Sequence, residues 1–296
     1  MSANTTDENA SIIAGFWRTN AWGYSTQALN QFIEQLIEIG VKDFDHAYVY
    51  RSEAAFGQAL SLSPNLRVNI NIITKCGIRG VGDNPLDATS VNHYDSSKAT
   101  ILASVDHSLK ALGTDYVDTL LLHRPDYLMD VDAVNDAFNA LKAQGKVKQF
   151  GVSNFNTAQF SLLQSALDVP LVTNQIELSP FETSALDNGL FDQCYQHRIR
   201  PMIWGSCLGG GRLFDTTDAV TQRLTGSLNG LMEEVGVSSL AGLVYVWVLT
   251  LPSQPQIITG SGKIENIRPL VNARDIRLTR EQWYQVWSAA VGHGVK

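Results

Sequence analysis

The chain is poor in cysteine; Cys76, Cys194 and Cys207 are its only three. An odd number at wide spacing suggests neither a disulfide framework nor a zinc ribbon, and reduced thiols in a cytoplasmic protein are the expectation. Basic residues are also scarce, 22 Lys and Arg against 29 Asp and Glu, which leaves a net charge of −7. An acidic chain without basic runs is a poor partner for nucleic acid or for an anionic membrane surface. The longest apolar run, near Leu240–Leu251, is too short to span a bilayer and reads as a buried helix. The first ten residues lack the basic and apolar regions of a signal peptide and are expected to be flexible. No Pro-, Gly- or Ser-rich linker divides the chain, so residues 1–296 read as one domain, and nothing demands more than a monomer or weak oligomer. Neither G-x-G-x-x-G nor a P-loop occurs, so any dinucleotide must be held by other means.

What recurs is a short apolar run followed by a helix-like periodic run. The apolar runs are Ser11–Trp17, Val41–His46, Ile70–Cys76, Tyr116–His123, Val147–Ser153, Leu171–Ile176, Arg200–Ser206 and Pro255–Ser261. Mostly non-alternating runs of this length are strands of a parallel sheet covered on both faces. Between them, Ser25 caps a helix carrying Leu29, Phe32, Ile33, Leu36 and Ile37 and stopped by Gly40; Lys98–Leu112 ends at Gly113, and Val131–Gln144 at Gly145. Eight such units favour an α/β fold closed as a (β/α)8 TIM barrel over an open sheet. Two connections are long, Gly77 to about Ser97 and Cys207 to about Thr217, and long loops in a barrel are usually functional.

Barrel enzymes work at the C-terminal ends of their strands. Polar side chains sit there on nearly every run, and four of them, Asp45, Tyr50, Lys75 and His123, make a coherent set. A tyrosine with pKa near 10 donates a proton poorly at pH 7, and lowering it by about 3 units takes roughly 4 kcal/mol. An ammonium at ~4 Å supplies about that much at an effective dielectric near 20. Lys75 would acidify Tyr50, Asp45 would hold Lys75 charged, and His123 would donate a hydrogen bond to a substrate oxygen; no metal is called for. Taken singly, each residue has an ordinary structural role: packing, a solvated cation, a core imidazole or a helix cap.

The stretch Asp45-His46-Ala47-Tyr48-Val49-Tyr50-Arg51-Ser52-Glu53 resembles the aldo-keto reductase signature D-x-A-x-x-Y-x-x-E. Leu120–Asp126, with His123-Arg124-Pro125-Asp126, Gly151–Phe155, Asn174–Glu177 and Ile258–Arg268 resemble, in order, later motifs of that family, closest to its bacterial branch. The resemblance implies an NADPH-dependent oxidoreductase reducing the carbonyl of a small-molecule aldehyde or ketone. Asp45, Tyr50, Lys75 and His123 would be its catalytic tetrad, with Tyr50 as general acid. It further implies that Ser153, Asn154 and Gln175 bind the nicotinamide carboxamide, that Ser206, Leu208 and Gly210 belong to a loop over the pyrophosphate, and that Ser261, Lys263 and Arg268 grip the 2′-phosphate, with Glu265 and Asn266 near the adenine. Lys and Arg around a serine at a helix start make an anion site on physical grounds as well.

The chain departs from the pattern at Arg51, where glycine is common, at His46, where a hydroxyl residue is common, and at Thr259, which replaces a frequent proline. Gly205 stands where an aromatic often stacks on the nicotinamide; a bulge there would re-aim Trp204. Two other readings stay open. The barrel could bind NADPH as a regulatory or redox-sensing subunit with little turnover, or Lys75 could form a Schiff base as in an aldolase.

Overall fold

The computed structural model describes residues 12–81, 89–205 and 208–296. The expectations attached to the first ten residues, to Ser206 and to the middle of the Gly77–Ser97 loop lie outside the described residues. In chain order the elements are β1 (Ile12–Gly15), α1 (Thr26–Glu38), β2 (Asp43–Asp45), α2 (Glu53–Leu60), β3 (Asn71–Cys76), β4 (Ile78–Arg79), β5 (His93–Tyr94), α3 (Lys98–Leu112), β6 (Val117–Leu122), α4 (Val131–Ala143), β7 (Val147–Ser153), α5 (Thr157–Ala166), β8 (Leu171–Glu177), α6 (Leu190–Gln196), β9 (Met202–Trp204), α7 (Ala219–Val235), α8 (Leu240–Leu249), β10 (Gln256–Thr259), α9 (Ile264–Asn272) and α10 (Arg280–Val291).

Eight strands hydrogen-bond in the order β1-β10-β9-β8-β7-β6-β3-β2 and close into a barrel. The pairing is parallel from β2 through β3, β6 and β7 to β8, and again between β9 and β10. Each apolar run of the sequence holds one barrel strand, usually shorter than the run, because the outer residues of the run complete turns. Val41 N–H donates to Leu36 C=O and so finishes the turn after α1, while His46 N–H continues the ladder to Ile73 C=O at 2.8 Å. Side-chain caps set the helix starts. Ser25 and Ser97 accept from the amides of Ala28 and Thr100, and Asp130 accepts from Asp132 and Ala133. Gly113 closes α3 at φ 64°, a left-handed geometry that a Cβ disfavours. Between β3 and α3 the structure adds the antiparallel pair β4–β5, Ile78 with Tyr94 and Arg79 with His93, which two-residue strands leave no periodicity to announce.

By density of internal contact the chain forms two compact units. One is Ala14–Gln175; the other comprises Ile176–Lys296 together with Ile12 and Ile13. In the first, Phe16, Phe44 and Phe56 pack as an aromatic cluster around β2, and Phe138 stacks on Phe150 at 4.1 Å. In the second, the apolar stretch of the sequence is α8, buried without a break from Gly242 to Leu249. Each large side chain there contributes about 1.5–3 kcal/mol relative to exposure. Among the described residues no single helix is long and apolar enough to cross a membrane.

Candidate active site

All four tetrad candidates lie in the Ala14–Gln175 unit and meet. Asp45 ends β2, Lys75 is the penultimate residue of β3, His123 directly follows β6, and Tyr50 closes a 3-10 turn, Tyr48–Tyr50, after β2. Lys75 has no exposed surface. Its Nζ donates to Asp45 Oδ2 at 2.7 Å, to the His46 carbonyl at 2.8 Å and to the Tyr50 hydroxyl at 3.3 Å. An ammonium has three donors, and all three are engaged. The Tyr50 hydroxyl is also 3.4 Å from His123 Nε2, with the two rings edge to face.

The electrostatics follow from burial. Burial works to lower the Lys75 pKa, but Asp45 and then Tyr50 hold it above its ordinary value. An ammonium so held is a poor Schiff-base nucleophile, which counts against the aldolase reading. Burial keeps His123 well below the usual histidine range, helped by Lys75 and Arg124, so its imidazole is neutral. For Tyr50 the structure corrects the sequence argument. Lys75 sits at the expected distance, yet the phenol is not acidified: burial pushes it above its ordinary value, and Asp45 offsets part of the pull of Lys75. Desolvation of the phenolate and the counter-ion of the lysine both oppose the pairwise attraction.

Ser153, Asn154 and Gln175 join the same cluster. Asn154 Nδ2 donates to Ser153 Oγ at 2.8 Å and to the His123 carbonyl at 3.2 Å, and Ser153 Oγ donates to the Gln175 carbonyl at 3.4 Å. Asn154 has φ 62°, a left-handed conformation that asparagine tolerates better than most residues. Gln175 Nε2 donates to Asp45 Oδ1 at 3.0 Å, so the two oxygens of Asp45 bridge Lys75 and Gln175. That link, between residues 130 positions apart, has no sequence signal.

The departures from the family pattern acquire physical reasons. Arg51 has φ 58°, a left-handed conformation that glycine adopts without strain, and its side chain is exposed. His46 is fully buried between Phe16 and Phe56, with Nδ1 3.5 Å from Ser52 Oγ, and its pKa falls to about 3, through burial first and Lys75 second. It is a core imidazole. Gly205 has φ 82°, and Trp204 is the half-buried last residue of β9. The buried thiols of Cys76 and Cys194 are both pushed up to about 12 by burial, which makes them inert.

In the Ile176–Lys296 unit, Leu208 and Gly210 belong to a loop folded on itself, with both amides donating to the Gly205 carbonyl, at 3.3 and 3.4 Å. Arg212 anchors the loop by a double hydrogen bond to Asp218 while its guanidinium lies 4.4 Å above the Phe181 ring. Ser261, Lys263 and Asn266 come together at the start of α9. Ser261 Oγ accepts from the Lys263 amide at 3.2 Å and from Asn266 Nδ2 at 3.3 Å. Lys263, Glu265, Asn266 and Arg268 are exposed on the first turns of α9, where no side chain caps the helix. An uncapped helix start flanked by a lysine and an arginine fits a phosphate.

A phenol hydroxyl held between a buried ammonium and a neutral imidazole, at the strand ends of a closed α/β barrel, is the arrangement of a barrel oxidoreductase. The chain belongs to the Aldo/keto reductase family, whose model matches residues 11–290. It is 46% identical to Oxidoreductase YdhF of Escherichia coli, over 97% of this chain and 96% of that one. To a 6-dehydroglucose reductase of Agrobacterium fabrum it is 38% identical, over 97% and 96% of the two chains. Among solved structures, the glycerol dehydrogenase of Gluconobacter oxydans shares the fold with a TM-score of 0.81 at 22% identity, covering 97% of this chain and 94% of that one. An aldo/keto reductase from Klebsiella pneumoniae, solved in complex with NADP and acetate, matches with a TM-score of 0.73 at 24% identity, covering 93% and 89%.

Proposed function

We propose that this enzyme reduces an aldehyde or ketone to the alcohol with NADPH, and that Tyr50 gives the proton to the substrate oxygen. The observation that carries the reading is the Lys75 ammonium, buried and 3.3 Å from the Tyr50 hydroxyl. Burial keeps the phenol protonated until a substrate oxygen takes the proton. The phenolate that remains then lies beside a cation, an attraction on the order of 4 kcal/mol at an effective dielectric near 20. That attraction grows as the proton leaves, which is the condition for catalysis rather than mere binding. Neutral His123, 3.4 Å from the same hydroxyl, is suited to hold the carbonyl oxygen in line. NADPH, when bound, supplies the hydride. Lys263 and Arg268 at the start of α9 would grip its 2′-phosphate beside Ser261, with Glu265 and Asn266 toward the adenine. Ser206, Leu208 and Gly210 would line its pyrophosphate, and Ser153, Asn154 and Gln175 its carboxamide. The Agrobacterium relative named for a carbonyl reduction supports the direction of the reaction, and the Klebsiella complex with NADP supports the cofactor.

The test is Tyr50→Phe. General acid catalysis is worth about 10²–10⁴-fold, so kcat for NADPH-dependent reduction of a small aldehyde should fall by roughly 10³-fold. NADPH binding, followed by fluorescence titration, should change less than about twofold. Turnover at the wild-type rate would remove Tyr50 from the role of acid.

A further inference from the structure

The signature that carries Asp45 and Tyr50 ends in Glu53, and the chemistry above gives Glu53 nothing to do. Its side chain is only 2% exposed. A buried carboxyl is costly without partners, and Glu53 has two, on two different elements. Its Oε1 accepts from Thr74 Oγ1 at 2.6 Å, and the Ser108 hydroxyl of α3 hydrogen-bonds it as well. Successive residues of a strand point to opposite faces. Thr74 therefore faces Glu53 from one side of β3, while its neighbour Lys75 faces Tyr50 from the other. Tyr50 in turn stands three residues before Glu53, joined to it through the left-handed Arg51 and the buried Ser52.

We propose that Glu53 is a positioning residue for proton transfer: through Thr74 it ties the segment bearing Tyr50 to the strand bearing Lys75, and so fixes the gap between hydroxyl and ammonium. The proposal rests on the assignment of Tyr50 as acid. The brace has its own backing. A Cβ at Gly57, one turn along α2, would overlap the Ala111 carbonyl, so α2 is already seated hard against α3. With that side fixed, the Glu53–Thr74 bond controls how the start of α2 meets β3. Burial also pushes the Glu53 carboxyl above its ordinary value, against the Thr74 and Ser108 hydrogen bonds and Lys75. A neutral amide of the same shape is therefore a fair replacement.

The experiment compares Glu53→Ala, Thr74→Val and Glu53→Gln with wild type and Tyr50→Phe, at saturating NADPH and varied aldehyde. Thr74→Val keeps the volume and removes only the hydroxyl, so it reads the brace even where Glu53→Ala folds poorly. Expected are an about tenfold lower kcat in Thr74→Val and Glu53→Ala, aldehyde KM and NADPH affinity within twofold of wild type, and recovery of most of the loss in Glu53→Gln. A fall in melting temperature with kcat unchanged in Thr74→Val and Glu53→Ala would overturn the brace and leave Tyr50 as acid. Wild-type turnover in Tyr50→Phe would overturn the assignment of the acid, and the brace with it.

Discussion

The Lys75 ammonium and the Asp45 carboxylate are buried and engaged with each other, whereas around Lys263 the charged side chains stand in solvent on a frame of short hydroxyl and amide contacts. A buried ammonium with three fixed acceptors keeps its geometry whatever else is present, and its removal strands a carboxylate. An exposed lysine or arginine contributes little to folding and acts only on an anion that reaches it. Substitutions in the first region should therefore move rate and stability together, and substitutions in the second should move cofactor affinity alone.

The most damaging way to press this contrast is Lys75→Met. Asp45 would be left buried without its cation, and the free energy of unfolding in urea should drop by about 3–5 kcal/mol, with turnover lost. Adding Asp45→Leu should restore much of the stability and none of the turnover. A single variant as stable as wild type would break the contrast.

A second pressure is acid. Burial holds the folded-state pKa of His46 at about 3, below the 6.5 of an unfolded chain. The unfolded state therefore takes up the proton first. The stability tied to neutral His46 is complete above pH 6.5 and drains away as pH falls toward 3. At pH 5 the loss is about 2 kcal/mol. His46→Phe, which fits its aromatic surroundings, should flatten that part of the stability–pH curve. An unaltered curve would mean that His46 is not held neutral by the fold.

The mildest effect is expected at α9. Lys263→Ala with Arg268→Ala should raise KM for NADPH about tenfold, equivalent to about 1.4 kcal/mol, with KM for NADH, kcat and melting temperature near wild type. A fall in kcat would show that the two regions are less separate than their construction suggests.

Much of this was legible in the residues. Apolar runs announced the eight barrel strands, and Ser25 announced a helix start and Gly113 a helix stop, because caps and burial act locally. The tetrad could be assembled because a parallel barrel brings strand ends together whatever their separation in sequence. The β4–β5 pair escaped because two-residue strands carry no pattern, and the Gln175–Asp45 bond and the burial of Glu53 escaped because packing at a distance sets them. The direction of the Tyr50 pKa escaped for the same reason, since it turns on how much water the site excludes.

Arg51 holds a left-handed backbone at φ 58° with its side chain in solvent. An arginine pays roughly 1–2 kcal/mol for that conformation, so one constraint at this position is a backbone angle, which the identity of the side chain does not record. Glycine or asparagine could replace it with less strain, while valine or isoleucine would add to it. Counted by residue identity among descendants, the position would look free to drift, although the turn that carries Tyr50 closes through that angle.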